Sequence, residues 1–280
     1  MGEYILYLFL SMLLALFIRL FLCNFYRVPS DSMTPAIVAG DFIMAEKWTY
    51  GARIFTSLKF TSQQDPPLKR VPGFGSIHRN DVVVFNYPHR DTWDTVRMNL
   101  SLFLIKRCIG IAGDSLSIVD GYYRIAGVKD TVGHIPGQKQ WVRHCKWADS
   151  SILRTFPFDT AFHWNAFNFG PFYIPAAGAS IPLTPHNFTL FHTQITYETD
   201  ATVILKDSLV YINDSLAREY TFRENWYFMA GDNVANSQDS RYFGLVPEKF
   251  IIGRACIILS SKDMYSGKRR WRRMFKGIKN

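Results

Sequence analysis

The pattern of hydrophobic residues changes abruptly after the first 23 positions of the chain. Residues 4–23, YILYLFLSMLLALFIRLFLC, form an apolar stretch of 20 residues in which Arg19 is the single charge. A helix of about 20 apolar residues spans the hydrocarbon core of a bilayer. We therefore predict a transmembrane helix, with Arg19 close enough to the helix end for its side chain to reach the headgroups.

A cleaved signal peptide is the competing interpretation of this apolar stretch. It is disfavoured because Glu3 stands where a signal peptide has basic residues, and because no small-x-small site follows. A lipoprotein site at Cys23 is disfavoured by the bulky Phe21 and Leu22 before it. We predict an uncleaved anchor at residues 1–25.

Beyond the anchor, short runs of apolar residues with polar neighbours are typical of β-strands. These runs lie at residues 41–48, 81–88, 102–111, 115–121, 122–127, 203–214 and 225–232. Asp120-Gly121 and Asn213-Asp214 have the composition of tight hairpin turns. No long amphipathic helix is evident after the anchor. The pattern predicts a mainly β protein with an antiparallel β core, preceded by one N-terminal transmembrane helix.

Residues from about 130 to 200 differ in composition from the rest. Six of the thirteen prolines lie between Pro136 and Pro185, among many aromatic residues. Large apolar side chains need a core, so we predict an inserted β-rich subdomain rather than a linker. The predicted units are the insertion at 129–201, the β core at 26–128 and 202–262, and a basic C-terminal tail at 263–280.

The formal net charge of +9 is concentrated at the end of the chain. Residues 268–280, KRRWRRMFKGIKN, carry seven Lys or Arg residues interleaved with Trp271 and Phe275. Such a segment binds anionic lipid headgroups or nucleic acid, and the predicted anchor favours lipid over nucleic acid. The preceding apolar run at 250–261 contains Arg254 and is too short to span a bilayer. The tail therefore stays on the same side as the β core.

The four cysteines show no metal-site or redox-motif spacing. Cys23, Cys108, Cys145 and Cys256 lie in different parts of the chain, without a C-x-x-C pair. The spacing favours free or buried thiols, and a disulfide of Cys145 stays open if the domain is extracytoplasmic.

Lys106 is the first candidate for chemistry, because it lies in a predicted strand with apolar neighbours on both faces. A lysine with its reference pKa of about 10.4 is neutral in only about one molecule in 2,500 at pH 7. Burial lowers the pKa of a lysine and allows it to act as a general base. A single lysine in an apolar strand is more often an edge residue that reaches solvent.

Two further segments carry clusters of polar residues. Ser30 and Ser32, in YRVPSDSMTPAI at 26–37, are placed to serve as an oxyanion-hole donor and a nucleophile, although such a segment is more often a turn or a helix cap. The composition of residues 229–255 predicts a polar loop, or a cation site built from Asp232, Asn233 and Asp239.

Taken together, four stretches of the chain carry a specific resemblance. They are PSDSMTPAIVAGDFIMAEKWTYG, RNDVVVFNYP, IKRCIGIAGDSL and GDNVANSQDSRYFGLVPEKFIIGRA. In this order, behind an N-terminal anchor, they resemble the successive motifs of bacterial type I signal peptidase, the membrane-bound Ser-Lys leader peptidase. The resemblance covers roughly residues 1–60, 79–121 and 225–260.

The resemblance implies a serine endopeptidase without metal or cofactor. Ser32 would be the nucleophile and Lys106 the general base. Ser30, with the Ser32 backbone N–H, would form the oxyanion hole, and Ser237 would orient the lysine. The resemblance also implies a structural ion-pair network and shallow substrate pockets. The network would comprise Asp232, Asp239, Arg241 and Arg107, and the pockets would be lined by Tyr26, Val28, Met33 and Ile105.

The implied substrates are secretory preproteins with an Ala-x-Ala-like site, because bulky pocket walls leave room for alanine alone. The implied location is the bacterial plasma (inner) membrane, with a single pass and an extracytoplasmic catalytic domain, although Glu3, Arg19 and Arg27 do not follow the positive-inside rule. Neither an oligomeric state nor a nucleic-acid partner is predicted.

The chain departs from the family pattern mainly at Asp31, which replaces a glycine between the two serines. A carboxylate beside the nucleophile would raise the pKa of Lys106 unless it points to solvent. Ala112, Val234 and Ala235 also differ from the usual residues. Two alternatives stay open: a self-cleaving repressor on a related fold, which the anchor disfavours, and a catalytically silent protein that binds signal peptides, which Asp31 favours.

Overall fold

The computed structural model describes residues 2–57, 65–145 and 153–279. Within these ranges the α-helices are α1 (Gly2–Phe17), α2 (Ile135–Cys145), α3 (Pro185–Thr199) and α4 (Ser240–Phe243). The strands are β1 (Cys23–Arg27), β2 (Asp41–Glu46), β3 (Arg53–Phe55), β4 (Leu68–Arg70), β5 (Val82–Tyr87), β6 (Asn99–Gly110), β7 (Ser115–Val119), β8 (Tyr122–Ile125), β9 (Phe169–Tyr173), β10 (Ser180–Pro182), β11 (Val203–Lys206), β12 (Leu209–Ile212), β13 (Ser215–Ala217), β14 (Glu219–Thr221), β15 (Trp226–Ala230), β16 (Val246–Pro247), β17 (Ile251–Ser261) and β18 (Lys276–Gly277).

The N-terminal helix is apolar and unburied along its whole length. α1 continues through a π-helical turn at Ile18–Leu22, so that the helix extends from Gly2 to Leu22 and is long enough to cross a membrane. Its last carbonyl groups are capped by Lys47, whose ammonium donates to the Arg19 oxygen at 2.6 Å and to the Leu20 oxygen at 3.3 Å. The predicted apolar helix is confirmed, and its end is fastened to the β core.

A large antiparallel sheet forms the centre of the protein. Its strand order is β1-β2-β17-β5-β6-β15-β16, with β18 added to β17. The central strand β17 is the apolar run that is too short to span a bilayer. Arg254 is tolerated within it because its guanidinium pairs with Glu46 on β2 at 2.9 Å. The predicted mainly antiparallel β fold is confirmed.

The two predicted hairpin turns are present. Asp120 and Gly121 join β7 to β8 with φ of 50° and 81°, and Asn213 and Asp214 join β12 to β13 with φ of 46° and 62°. Two consecutive positive φ values match the twist of the flanking strands, and Asn, Asp and Gly tolerate them best.

The prediction that no sizeable helix follows the anchor is wrong, because α2 and α3 lie within residues 129–201. Thr184 caps α3 by accepting the Asn187 N–H, and Pro185 occupies the first helical position. The aromatic and β-branched residues of α3 favour a strand by propensity, but Phe191 and Ile195 are buried against the core. Tertiary packing therefore overrides local preference, and the proposed domain boundaries stay predictions.

The core consists mainly of two clusters. The larger joins the insertion to the main sheet, since Phe172 and Phe191 pack in the same cluster as Phe85 and Phe228. The smaller lies beneath the segment that follows β1, and its buried members are Val28, Met33, Ile37, Ile43, Ala45, Val82, Val84, Ile105, Ile252, Ala255 and Ile258. The second cluster thus supports the segment that carries the two serines.

Gly253 is predicted to be needed for the close approach of β17 to β2. A Cβ at this position would lie 2.2 Å from the Glu46 carbonyl oxygen, whereas a Cβ at Gly277 on β18 would meet no atom within 4 Å. We expect Gly253→Ala to lower the free energy of unfolding by about 1–3 kcal/mol, and Gly277→Ala to leave it nearly unchanged. Thermal unfolding in detergent measures both variants, and equal melting temperatures would contradict the steric explanation.

Candidate active site

Ser32 and Lys106 meet although 74 positions separate them in the sequence. Ser32 lies in the turn that follows β1, and Lys106 lies on β6 beside β5. The Lys106 ammonium nitrogen Nζ is 2.7 Å from the Ser32 hydroxyl oxygen Oγ. This is the distance across which a proton passes between a hydroxyl and a base.

Lys106 is held away from water. Lys106 is only 2% exposed, and burial lowers the pKa of its ammonium group from 10.5 to about 8. Asp239 and Asp232 oppose this shift of the pKa, and Arg241 adds to it. At pH 7 roughly one molecule in ten then carries the neutral amine, compared with fewer than one in a thousand for an unshifted lysine.

Two ion pairs limit the effect of the nearby carboxylates on Lys106. Arg107 donates to both oxygens of Asp232 at 2.7 Å, and Arg241 donates to both oxygens of Asp239 at 2.8 and 2.9 Å. Burial works against ionisation of Asp239, yet the Arg241 guanidinium holds the pKa of that carboxyl below its usual value. Both carboxylates named for a cation site therefore face guanidinium groups. Within 2–57, 65–145 and 153–279, no group of three or more His, Cys, Asp or Glu side chains could hold a metal ion.

Ser30 lies beside Ser32. The Ser30 and Ser32 hydroxyl oxygens are 3.5 Å apart, and Ser30 is exposed to solvent. The Ser32 backbone carbonyl is occupied, because it accepts the Asn233 N–H at 3.0 Å. This bond ties the peptide backbone at Ser32 to the loop that carries Asn233.

Ser237 is buried near the dyad but makes no bond to the lysine. Its hydroxyl oxygen has no hydrogen-bond partner among the described residues. The neighbouring Gly231 explains the tight fit, since a Cβ there would lie 2.2 Å from the Ser237 oxygen and 2.5 Å from the Ser32 carbonyl oxygen. The orienting bond implied by the family resemblance is therefore absent from this arrangement, and the role of Ser237 stays a prediction.

The carboxylate of Asp31 is turned toward the backbone. It accepts the Ala39 N–H at 3.1 Å, and Thr34 Oγ1 lies 3.4 Å from the same oxygen. Asp31 is exposed and is not among the residues with positive φ. Its charge is not among the causes that shift the pKa of Lys106. The departure from glycine is thus accommodated without a strained backbone.

A cavity of about 550 Å³ opens beside the dyad. Its lining includes Val28, Met33 and Ile105, which the resemblance implies for the substrate pockets, together with Ser30, Ser32 and Lys106. Tyr26 does not line this cavity. It packs against Phe103, which does line the cavity, and the two ring centroids are 4.6 Å apart. The further residues of the lining are Pro29, Tyr87, Trp93, Leu102, Phe103, Leu104, Asn236 and Gln238.

Some of the cavity residues that were not predicted could have been found from the sequence. Leu102 and Leu104 alternate with Lys106 along β6, so their shared face is visible from the period of two residues. Trp93 has no such signal, because it lies in the segment that joins β5 to β6 and reaches the cavity through folding alone. Its ring packs between His89 and Phe158, at centroid distances of 6.4 and 5.9 Å.

Comparison with known proteins identifies relatives over most of the chain. Residues 1–260 match a family model described as "Signal peptidase, peptidase S26". The chain is 27% identical over 272 residues to signal peptidase I of Aquifex aeolicus (strain VF5), covering 96% of this chain and 86% of that protein. It is 26% identical over 255 residues to signal peptidase I of Buchnera aphidicola subsp. Baizongia pistaciae (strain Bp), covering 88% of this chain and 73% of that protein.

A solved structure shows a weaker likeness. The crystal structure of a signal peptidase I from Enterococcus faecalis V583 covers 64% of this chain and 96% of that chain, at 21% identity and a TM-score of 0.31. At that TM-score the likeness adds nothing to the description of the fold.

Burial of Lys106 is predicted to destabilise the fold at neutral pH. The folded lysine titrates near pH 8 and the unfolded one near 10.5, so the unfolded state binds the additional proton between these values. The penalty is about 3 kcal/mol below pH 8, and it disappears as the pH rises to 10.5. Replacing Lys106 by an apolar residue removes this penalty, but it also removes the hydrogen bond to Ser32, which costs about 1 kcal/mol of stability. We therefore expect Lys106→Met to raise the free energy of unfolding by about 2 kcal/mol at pH 7, with a smaller gain at higher pH.

Denaturant unfolding at several pH values measures this effect. Lys206→Met, which changes an exposed lysine on β11, serves as the control and should show no comparable gain. A Lys106→Met protein that is less stable than the wild type at pH 7 would contradict the burial argument.

Proposed function

Because the chain belongs to the signal peptidase family, peptidase S26, we propose that it is a membrane-anchored endopeptidase that removes signal peptides from exported preproteins with a Ser32–Lys106 dyad. The observation that carries the proposal is the 2.7 Å contact between the Lys106 amine and the Ser32 hydroxyl at a site where burial lowers the pKa of the lysine. A buried neutral amine replaces the histidine of other serine hydrolases.

The proposed reaction proceeds through an acyl-enzyme. The neutral Lys106 amine takes the Ser32 hydroxyl proton while the oxygen attacks the scissile carbonyl carbon. The oxyanion that forms accepts hydrogen bonds from the Ser30 hydroxyl and the Ser32 N–H. The Lys106 ammonium then gives its proton to the leaving amine, and the peptide bond breaks. Finally the same lysine deprotonates a water, which hydrolyses the Ser32 ester and restores the enzyme.

The walls of the cavity support selection of small side chains at the cleavage site. Val28, Met33 and Ile105 are at most 7% exposed and are packed in the second core cluster, so they cannot move aside without loss of packing. Filled walls of this kind accept alanine and exclude larger residues, which supports cleavage after an Ala-x-Ala-like site. Tyr26 packs against Phe103, which lines the cavity, so Tyr26 would influence the substrate through that ring.

The anchor supports action at a membrane surface. A substrate held in the bilayer by its own apolar segment shares that surface with the enzyme, which raises the effective concentration of the scissile bond. We propose the bacterial inner membrane as the location, with the catalytic domain extracytoplasmic. Five basic residues of the C-terminal tail are exposed and available to anionic headgroups: Lys268, Arg269, Arg272, Lys276 and Lys279.

Cleavage of a preprotein that bears an Ala-x-Ala site tests the proposed function. We expect the purified wild type in detergent to release the mature protein after the second alanine. Ser32→Ala and Lys106→Ala should each reduce the rate by at least about 10³-fold. Ser215→Ala and Lys206→Ala change exposed residues and serve as controls. The product mass locates the cut, and a silent wild type that still binds the signal peptide would favour the binding-protein alternative.

The rate of cleavage is predicted to rise with pH through about 8. Because Lys106 must be neutral to act as a base, the rate should increase about tenfold per pH unit below this value and level off above it. Single-turnover rates measured from pH 6 to 10 give the apparent pKa of this rise. An apparent pKa near 10.5 would show that the lysine is not desolvated in the working enzyme.

Asp31→Asn is predicted to leave this pH profile unchanged. The asparagine oxygen can still accept the Ala39 N–H, and the carboxylate that it replaces is exposed, so solvent screens its charge. Asp214→Asn, in an exposed hairpin turn, removes the same charge at a distance and is the control. A fall of the apparent pKa in Asp31→Asn alone would show that the native carboxylate raises the pKa of the lysine.

A further inference from the structure

The C-terminal tail is packed onto the β core rather than extended into solvent. β18 pairs with β17, with Ile257 opposite Gly277. Ile278 packs against the core cluster that contains Val28 and Met33. The Lys279 carbonyl oxygen accepts a hydrogen bond from Arg107 at 3.2 Å. The tail therefore ends beside elements of the active site, although its composition indicates only a lipid-binding segment.

Arg273 is the tail residue with the most contacts to the segment that follows Ser32. Its guanidinium donates to both oxygens of Asp41 at 3.1 and 2.7 Å, to the Pro35 carbonyl at 3.3 Å and to the Ala36 carbonyl at 3.0 Å. The nearby Arg270 donates to the Ala39 carbonyl at 2.8 Å. Backbone carbonyls of the turn at residues 33–41 are thus bound by two arginines of the tail.

Asp41 gives this contact its importance. The residue is fully buried, and its carboxylate also accepts the Val38 N–H at 2.9 Å. A buried carboxylate is unfavourable without a cation, and Arg273 is the cation that pairs with it. The planar fork of an arginine can hold the carboxylate and two carbonyl groups together, which an ammonium cannot do.

The turn at 33–41 begins directly after the nucleophile. Within it the Ile37 N–H donates to the Met33 carbonyl, and the Thr34 N–H donates to the Asp31 carbonyl, both at 3.0 Å. A short hydrogen-bonded segment therefore connects Pro35 and Ala36 to Ser32. Arg273 does not line the cavity of the dyad, so it reaches the reaction only through this turn.

We propose that Arg273 is a positioning residue, which fastens the C-terminal tail over the 33–41 turn and so holds the Ser32 hydroxyl at the Lys106 amine. The inference rests on the proposed Ser32–Lys106 mechanism. It assigns the tail a role in turnover that does not depend on lipid. A misplacement of about 1 Å at a nucleophile can reduce a rate by about 100-fold.

Kinetics of Arg273 variants in the full-length enzyme test this proposal. We expect Arg273→Ala to lower kcat by roughly 10- to 100-fold. KM and the apparent pKa near 8 in the pH profile of the rate should stay unchanged. Free guanidinium ion at a non-denaturing concentration should restore part of the lost kcat. Arg124→Ala removes the same charge from an exposed position on β8 and should behave as the wild type.

Arg273→Lys covers the case in which Arg273→Ala does not fold. It keeps a positive charge for Asp41 but cannot hold both carbonyls, so we expect a folded enzyme with reduced kcat. A wild-type kcat in either variant, or an equal loss in Arg124→Ala, would overturn the proposal. An inactive wild type, or an active Ser32→Ala enzyme, would instead refute the proposed function itself.

Discussion

The desolvation of Lys106 is the constraint on which the rest of the structure depends. An amine that titrates near pH 8 requires a side chain that is almost entirely removed from water, so the strand that carries it must be covered on both faces. The part of β6 that carries Lys106 meets this requirement, because every residue from Ile105 to Gly110 is buried. The turn with the two serines then closes over the amine.

Charges around the lysine must also be balanced, since a free carboxylate nearby would restore the proton to the amine. In the ion pairs Arg107–Asp232 and Arg241–Asp239, the charge of each carboxylate is balanced by a guanidinium group. Their guanidinium groups also bind backbone carbonyls, among them those of Asn80 and Val234. The same groups therefore help to shape the loop at 229–255, and Arg241 holds the pKa of the Asp239 carboxyl below its usual value.

Much of the fold could be predicted from the sequence, because the strands alternate and the hairpins contain Asp-Gly and Asn-Asp. The helix α3 was missed, since its residues have strand-like propensities and the packing of Phe191 and Ile195 against the core is not visible in the sequence. The dyad could be predicted because four motifs occur in one order. The approach of Arg273 to Asp41 could not, since 232 positions separate the two residues and no periodicity links them.

The way in which β1 leaves the anchor sets a working distance for the enzyme. β1 begins at Cys23, directly after the last helical residue, and Ser32 follows Leu22 by only ten positions. Ten extended residues reach at most about 33 Å. The pairing of β1 with β2 and the Lys47 cap prevent this short connection from swinging freely. In a membrane-anchored enzyme this short connection thus limits the height of Ser32 above the bilayer, and a scissile bond that lies farther from the membrane cannot reach it.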